Sequence, residues 1–212
     1  MSAIKYKEAL YSWFGSLYLR APNAELLQPF SDPEVMSTLT FFFHDETHRT
    51  ALKELTTYIK RARLEDLRNE FDALFIVPNK RNYVAPYESC FREKRENEIG
   101  NLWGETTANV ARYYREAGYE AKTLRGIFAP DHIAVELAFI AKLYADEMRF
   151  LKSKNDLARA KKIEELRKSF LREHISKWIE DFKKAVNASP SAIFYRYLSI
   201  LTAYLISFDM ES

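Results

Sequence analysis

The sequence Phe128-Ala-Pro-Asp-His-Ile-Ala-Val-Glu-Leu-Ala-Phe-Ile140 contains the strongest helix start in the chain. Pro130 ends whatever precedes it, because its ring blocks a continuing helix and holds the preceding residue in an extended conformation. Asp131 is a preferred N-cap, whose carboxylate accepts hydrogen bonds from first-turn amides. Apolar residues follow at helical spacing, at Ile133, Leu137, Ile140 and Tyr144. The pattern predicts a buried helix that reaches about Leu151.

His132 takes the first helical position, where we expect its ring to point away from the core. The mouth of the helix then presents a carboxylate and an imidazole side by side. Since helix caps are far commoner than binding sites, the residue types alone favour a capped core helix with an incidental histidine. The alternative is a functional pair at the helix start.

The composition is that of a globular protein. Of 212 residues, 47% are hydrophobic and 29% are charged, so residues 1–212 can form a single domain with a substantial core. A net charge of +2 argues against a nucleic-acid binder that works mainly by phosphate neutralisation. The single cysteine, Cys90, excludes an internal disulfide and cysteine-rich metal sites within one chain.

The sequence shows no targeting or membrane segment. Residues 1–8 lack the apolar run of a secretory signal. The most apolar segment, residues 192–208, contains Arg196 and is short for a membrane span. We therefore expect a cytoplasmic protein without stable membrane insertion.

Helical periodicity recurs along most of the chain. Amphipathic stretches predict helices over about 6–18, 24–30, 33–43, 52–61, 64–75 and 105–117. After a polar break at about 153–156, one long helix is predicted through Phe182. Ser189-Pro190 is predicted to cap a last helix, whose core face is Phe194, Leu198, Leu201, Leu205 and Phe208. The predicted fold class is all-α, a single-domain helical bundle of roughly nine or ten helices.

The helical pattern breaks between Ile76 and about Asn101, where we predict a loop. A loop of this length in a compact domain is uncommon and often functional. Aromatic side chains in and around it can line an apolar groove: Phe71, Phe75, Tyr83, Tyr87 and Trp103. Carboxylates can border it: Asp72, Glu88 and Asp131. Such a groove fits a peptide with an apolar run and basic residues, whereas the alternative is that the aromatics, above all Phe71 and Phe75, belong to the core.

The segment His44-Asp45-Glu46-Thr47-His48 places two histidines four residues apart, as in a zinc-protease helix. That motif requires Glu directly after the first histidine, and Asp45 stands there instead. The segment also lies where one helix ends. We predict surface polar residues and no metal site.

Cys90 with His132 as a base would make a hydrolase, because a cysteine nucleophile needs a base from elsewhere in the fold. The sequence supplies no Gly-rich turn for an oxyanion hole, and nothing else supports the pairing. An inert thiol is favoured, and we predict no catalytic residue.

Four segments resemble a known family, in order and at its spacing. They are Leu67-Arg-Asn-Glu-Phe-Asp-Ala-Leu-Phe-Ile-Val-Pro78, Ala85-Pro-Tyr-Glu-Ser89, Pro130-Asp-His-Ile-Ala-Val-Glu-Leu137 and Phe170-Leu-Arg-Glu-His-Ile-Ser-Lys-Trp178. On these motifs the chain resembles the TorD/DmsD-type redox-enzyme maturation chaperones, which proofread twin-arginine export.

The resemblance implies a cytoplasmic, non-enzymatic chaperone. Such a protein binds the twin-arginine leader or the apo-form of a molybdenum-containing oxidoreductase, aids cofactor loading and delays export until assembly. The implied leader site comprises Leu74, Phe75, Pro86, Tyr87, Glu88, Ser89, Asp131 and His132, and the groove argument adds Tyr83 and Trp103. Its carboxylates would meet the leader's arginines.

Partners and cofactors follow from the same resemblance. No cofactor is expected, although weak guanine-nucleotide binding is associated with some members. A monomer and a helix-swapped homodimer both stay open. The alternatives to the chaperone are the hydrolase and a helical module that binds another peptide.

Overall fold

The computed structural model describes residues 3–93, 102–120, 129–152 and 156–211. Within these ranges lie eleven α-helices: α1 Ala3–Leu19, α2 Ala24–Leu27, α3 Pro33–Phe42, α4 Glu46–Arg61, α5 Leu64–Phe71, α6 Glu88–Arg92, α7 Glu105–Glu116, α8 Ile133–Leu151, α9 Leu157–Glu173, α10 Ile179–Ala188 and α11 Phe194–Met210. Nine of these have eight residues or more. The only strand-like pairing in the described ranges is one antiparallel bridge, between Tyr87 and His132. The predicted all-α class is confirmed.

The chain divides into two compact units, each made of two segments. The first unit comprises Met1–Leu19 and Pro86–Trp178 and contains α1 and α6 to α9. The second comprises Arg20–Ala85 and Ile179–Ser212 and contains α2 to α5, α10 and α11. The single domain expected over residues 1–212 stays a prediction.

In the first unit, α1 lies close against α8. A Cβ atom added at Gly15 would come within 3.2 Å of the Ala134 carbonyl oxygen and 3.3 Å of the Leu137 Cβ. The rings of Tyr11 and Tyr144 stack with their centroids 5.9 Å apart. Glycine therefore permits the close approach of the two helices, and the apolar face predicted for α8 is the face that α1 covers.

A buried arginine ties α9 to α8. The Arg167 guanidinium donates to the Tyr144 hydroxyl over 2.8 Å and to the Glu147 carboxylate over 3.2 Å. It also lies over the Tyr144 ring, 3.9 Å from the centroid. Because a buried charge is costly without partners, these contacts fix the register of the two helices.

In the second unit, α11 packs on α4, α5 and α10. Its N-terminus is capped by a distant side chain: the Glu70 carboxylate accepts from the amides of Ile193, Phe194 and Tyr195 over 2.8, 3.1 and 2.9 Å. Glu70 is buried, and burial raises its pKa although the three hydrogen bonds oppose that rise. The prediction that Ser189-Pro190 caps this helix is wrong, because α11 begins only at Phe194.

Most predicted helices are present. Asp32 caps α3 by accepting from the Glu34 amide over 2.9 Å, and α8 ends at Leu151 as predicted. The single long helix predicted through Phe182 is instead α9, a 3-10 turn over Ile175–Lys177 and α10. The loop predicted from Ile76 contains the short helix α6, and residues 94–101 lie outside the described ranges.

None of the described helices has both the length and the apolar character needed to cross a membrane.

Candidate functional site

The helix start that dominates the sequence is built differently from its prediction. The N-cap of α8 is His132, whose Nδ1 accepts from the Ala134 amide over 3.1 Å. The His132 side chain is not turned away from the core, since the residue is only 2% exposed. Burial lowers the pKa of His132 to about 3, so its ring is neutral at physiological pH. The predictions that Asp131 caps the helix and that the His132 ring points outward are wrong.

Asp131 joins the Pro-Tyr-Glu-Ser segment to the start of α8. Its buried carboxylate accepts from the Ser89 amide over 2.9 Å and from the Thr107 hydroxyl over 3.0 Å. Backbone bonds run alongside, from the Glu88 amide to the Asp131 carbonyl and from the Ile133 amide to the Pro86 carbonyl. The structure therefore brings together Pro86, Tyr87, Glu88, Ser89, Asp131 and His132, as the resemblance implies.

Tyr87 is the half-buried member of this group. Its ring meets the His132 ring edge-on, with centroids 5.0 Å apart, and its backbone pairs with that of His132. Pro86, Glu88 and Ser89 are buried. Within this cluster, Tyr87 therefore offers the most accessible side chain to a partner.

Glu88 lies inside the first unit and does not border a groove. Its side chain is fully buried, and its two oxygens contact Arg92 Nη1 at 2.5 Å and His174 Nδ1 at 2.9 Å. The same Arg92 nitrogen donates to the Glu173 carbonyl over 2.9 Å. The prediction that Glu88 and Asp131 form an open carboxylate rim is wrong, because both carboxylates are already bonded within the chain.

Glu136 is a third buried acid, which the sequence predictions did not single out. Its Oε2 accepts from Trp178 Nε1 over 3.2 Å, and Oε1 receives no hydrogen bond from any described donor. Burial raises the pKa of Glu136 well above its ordinary value, and the nearby carboxylates of Glu88 and Asp131 raise it further. The Glu136 carboxyl is therefore buried beside two other acids, with one hydrogen bond from the described donors. The available signal was one acid within the otherwise apolar run of residues 133–140.

Three of the four sequence motifs thus meet in one buried polar network. The Pro-Tyr-Glu-Ser segment supplies Glu88 and Ser89, the Asp-His helix start supplies Asp131, and the closing motif supplies His174 and Trp178. The carboxylates of Glu88, Asp131 and Glu136 each accept a hydrogen bond from a residue distant in the sequence, which fixes that part of the first unit.

The remaining motif lies in the second unit and ends in a π-helical turn over Asp72–Ile76. Leu74 is fully buried and Phe75 is 7% exposed. The Phe75 ring packs against Tyr195 and Phe182, at centroid distances of 4.8 and 6.2 Å. Phe71 and Phe75 are therefore core residues, as the alternative interpretation of the sequence proposed. Tyr83 is half-buried.

Trp103 is exposed on a strained turn before α7. The residue is 67% exposed and has φ of 70°, a region that a bulky side chain rarely adopts. The Glu93 carboxylate accepts from the Thr106 amide over 2.7 Å, and a Cβ at Gly104 would collide with that carboxylate. A capping glutamate and a glycine therefore hold the turn that presents the indole.

Comparison with known proteins identifies the family. Residues 44–184 match the family described as nitrate reductase delta subunit. The chain belongs to this family. The match covers all four sequence motifs, which lie within residues 67–178. It confirms the predicted TorD/DmsD-type redox-enzyme maturation family. The chain is therefore a redox-enzyme maturation chaperone, and its partner class is a redox-enzyme subunit.

One solved structure resembles the chain over its whole length. It is the crystal structure of a protein from Archaeoglobus fulgidus described as a redox enzyme maturation protein. The two sequences are 21% identical, the alignment covers 98% of this chain and 94% of the other, and the TM-score is 0.49. Among curated proteins, no sequence matches the chain significantly.

The two histidines of the zinc-protease-like segment do not share a helix in this family member. Asp45 caps α4 and contacts His48 Nδ1 at 2.5 Å, while His44 precedes the helix. The His48 ring packs on Tyr204 with centroids 4.1 Å apart. Among the described residues, no group of three or more metal-ligating side chains is placed to hold an ion.

Cys90 gives no support to the hydrolase alternative. Its side chain lies in α6 and is 3% exposed. His132 uses Nδ1 as the cap of α8, and its lowered pKa makes it a weak base. A thiol with so little exposure is poorly placed to attack a substrate.

Proposed function

We propose that this maturation chaperone binds the twin-arginine leader, the apo-form, or both, of a molybdenum-containing oxidoreductase. Binding takes place in the cytoplasm, aids cofactor loading and delays export until the enzyme is assembled. The chaperone itself needs no cofactor and carries no catalytic residue. Guanine-nucleotide binding, and the choice between a monomer and a helix-swapped homodimer, stay predictions.

The observation that carries the proposal is the family match over residues 44–184. All ten residues predicted for leader binding lie within this range, from Leu74 to His132. The family assignment supports a redox-enzyme partner. The twin-arginine leader and the molybdenum enzyme are the finer part of the proposal, which rests on the sequence motifs.

Within this proposal, Asp131 and His132 position other residues. Both side chains are buried and bonded within the chain, so neither offers an atom to a peptide that arrives from solution. Their bonds hold the Pro86–Ser89 segment, including the half-buried ring of Tyr87. Substitutions at Asp131 or His132 would then weaken leader binding by displacing this segment.

The proposal is tested by capture of the client enzyme. The tagged chaperone is expressed with the catalytic subunit of each molybdenum enzyme of the host, in medium with and without molybdate. We expect one subunit to be retained, mainly in its cofactor-free form, and less of it when both leader arginines are changed to alanine. Equal retention of the cofactor-free and cofactor-loaded forms would contradict the role in assembly.

The alternatives give different outcomes in the same assay. A Cys90→Ala variant should retain the client as the unchanged chaperone does. A hydrolytic activity of the unchanged protein that is lost in this variant would favour the hydrolase. Equal binding of a peptide without paired arginines would favour a helical module with another partner.

A further inference from the structure

The turn that follows α5 places six consecutive residues at the surface. Residues 76–81, with the sequence Ile-Val-Pro-Asn-Lys-Arg, form the longest run of exposed residues in the described part of the chain. Ile76 is 49% exposed and Val77 is 54% exposed. An unbroken exposed run indicates a convex projection, because the walls of a groove would shield some of its members. We call residues 76–81 the tip.

Hydrogen bonds hold the backbone of the tip in place. The Asn79 side-chain amide donates to the Val77 carbonyl over 3.0 Å, and its Oδ1 accepts from the Asn82 amide over 2.7 Å. The Val84 amide donates to the carbonyl of the buried Leu74 over 2.8 Å, so the chain returns along the turn. The exposed apolar side chains therefore lie on a turn with a fixed backbone.

The charge of the tip is positive. Lys80 and Arg81 are exposed, and in the described part of the chain neither side chain has a hydrogen-bond or ion-pair partner. No acid lies between Asp72 and Glu88 in the sequence, and the Glu88 carboxylate is fully buried. Arg68 lies one turn before the exposed Asp72 and offsets its charge. The tip therefore presents two basic side chains beside two apolar ones, without an acid to neutralise them.

This combination matches a lipid surface that carries negative charge. Apolar side chains on a projecting turn can enter the headgroup region of a bilayer, while neighbouring Lys and Arg bind anionic headgroups. Each basic side chain near an anionic leaflet strengthens binding about fivefold. A bound peptide is usually held in a groove or along a sheet edge, and a convex tip supplies neither. The shape of the tip therefore favours a membrane surface over a peptide.

We propose that the tip docks this chaperone reversibly on a membrane surface that contains anionic lipids. Ile76 and Val77 enter the headgroup region, and Lys80 and Arg81 contact the lipid phosphate groups. The contact is peripheral and needs no membrane-spanning helix. The inference goes beyond the proposed function and does not rest on leader binding.

The test is flotation of the full chain with lipid vesicles. Vesicles of equal parts phosphatidylglycerol and phosphatidylcholine should carry the protein, whereas vesicles of phosphatidylcholine alone should carry at least about tenfold less. Raising the salt concentration from about 0.05 M to about 0.5 M should release the protein, because salt screens the charge of the lipids.

Two variants separate the basic from the apolar part of the tip. Lys80→Gln combined with Arg81→Gln should weaken binding to the anionic vesicles about thirtyfold. Ile76→Ser combined with Val77→Ser should weaken it about tenfold, because serine gains little from leaving water.

Each variant has a matched control elsewhere on the surface. Lys161→Gln combined with Lys162→Gln removes two adjacent exposed bases from α9. Phe41→Ser removes an apolar side chain that is 85% exposed on α3. Both controls should bind the anionic vesicles like the unchanged protein, and circular dichroism checks that the helices of every variant are intact.

The outcomes decide between a membrane surface and other partners. Absence of binding to the anionic vesicles, equal binding to both kinds of vesicle, or unchanged binding by the two tip variants would overturn the inference. If the tip variants lose only the capture of the redox-enzyme subunit, the tip is a protein contact and the inference is also overturned. Failure of leader binding would leave the vesicle result unaffected, so the two proposals are tested separately.

Discussion

The side chain of His132 accepts a hydrogen bond from the Ala134 amide, and this bond requires an unprotonated Nδ1. The folded protein lowers the pKa of His132 to about 3, below the ordinary value of 6.5, because the ring is buried. Between these values the unfolded chain binds more protons than the folded chain, so stability falls as the pH falls. The contribution of His132 is therefore complete above about pH 6.5 and is lost progressively toward pH 3.

We predict that His132→Asn reduces this loss, because asparagine caps a helix without titrating. Urea unfolding between pH 4 and 7 should show a stability slope smaller by up to about 1.4 kcal/mol per pH unit than that of the unchanged protein. His44→Asn, at an exposed histidine, is the matched control. Identical slopes for His132→Asn and the unchanged protein would contradict a buried neutral cap.

Glu136 gives the opposite pH dependence. Its pKa is raised in the folded protein by burial and by the carboxylates of Glu88 and Asp131, so the folded chain binds the proton more tightly than the unfolded chain. The stability contribution is present below the ordinary pKa of 4.5 and is lost as the pH rises through the folded value.

We predict that Glu136→Gln becomes increasingly stable relative to the unchanged protein as the pH rises above about 5. Glutamine keeps an acceptor for Trp178 but carries no charge. Unfolding free energies of both proteins between pH 5 and 9 measure the difference. A constant difference across this range would show that Glu136 titrates normally.

At the scale of elements, the start of α11 depends on a side chain 123 residues away along the sequence. Glu70 satisfies three amides there, and alanine at this position leaves them without acceptors in a buried setting. We predict that Glu70→Ala costs about 3 kcal/mol of unfolding free energy, from the lost cap and the unsatisfied amides. Glu65→Ala, at an exposed acid of the same helix, should change it by less than about 0.5 kcal/mol. Equal effects of the two changes in urea unfolding would contradict the capping role of Glu70.

The elements that the sequence predicts well are those with local signals. Pro33 after Asp32 marks the start of α3, and the apolar period of α8 predicts its end at Leu151, although its N-cap is His132 and not Asp131. The break at His174 has no such signal, because apolar residues continue at helical spacing from Phe170 to Phe182. At the break between α9 and α10, His174 contacts Glu88 and Trp178 donates to Glu136. Both partners are distant in the sequence, so local periodicity does not predict the break.

For the candidate site, the sequence predicts which segments belong together but not whether their side chains are buried. The sequence predicts that the Pro-Tyr-Glu-Ser segment and the Asp-His helix start belong together, and the structure places them in contact. It does not predict their burial, because that depends on Thr107, Arg92 and His174.

At the scale of the whole molecule, the two units carry different parts of the family motifs. The first unit contains the buried polar network of Glu88, Asp131 and Glu136. The second contains the motif over residues 67–78, in which Leu74 and Phe75 are buried while Ile76 and Val77 are exposed. We therefore assign a structural role to the network.

The central claim is that this chaperone recognises a twin-arginine leader. The measurement that tests it most directly is calorimetric titration of the full chain with synthetic leaders from each molybdenum enzyme of the host. Each leader is titrated in its natural form and with both arginines changed to alanine. We predict selective binding of one leader, weakened at least about tenfold by the double alanine change. Absence of binding to every leader, or equal binding of the natural and alanine forms, would contradict the claim.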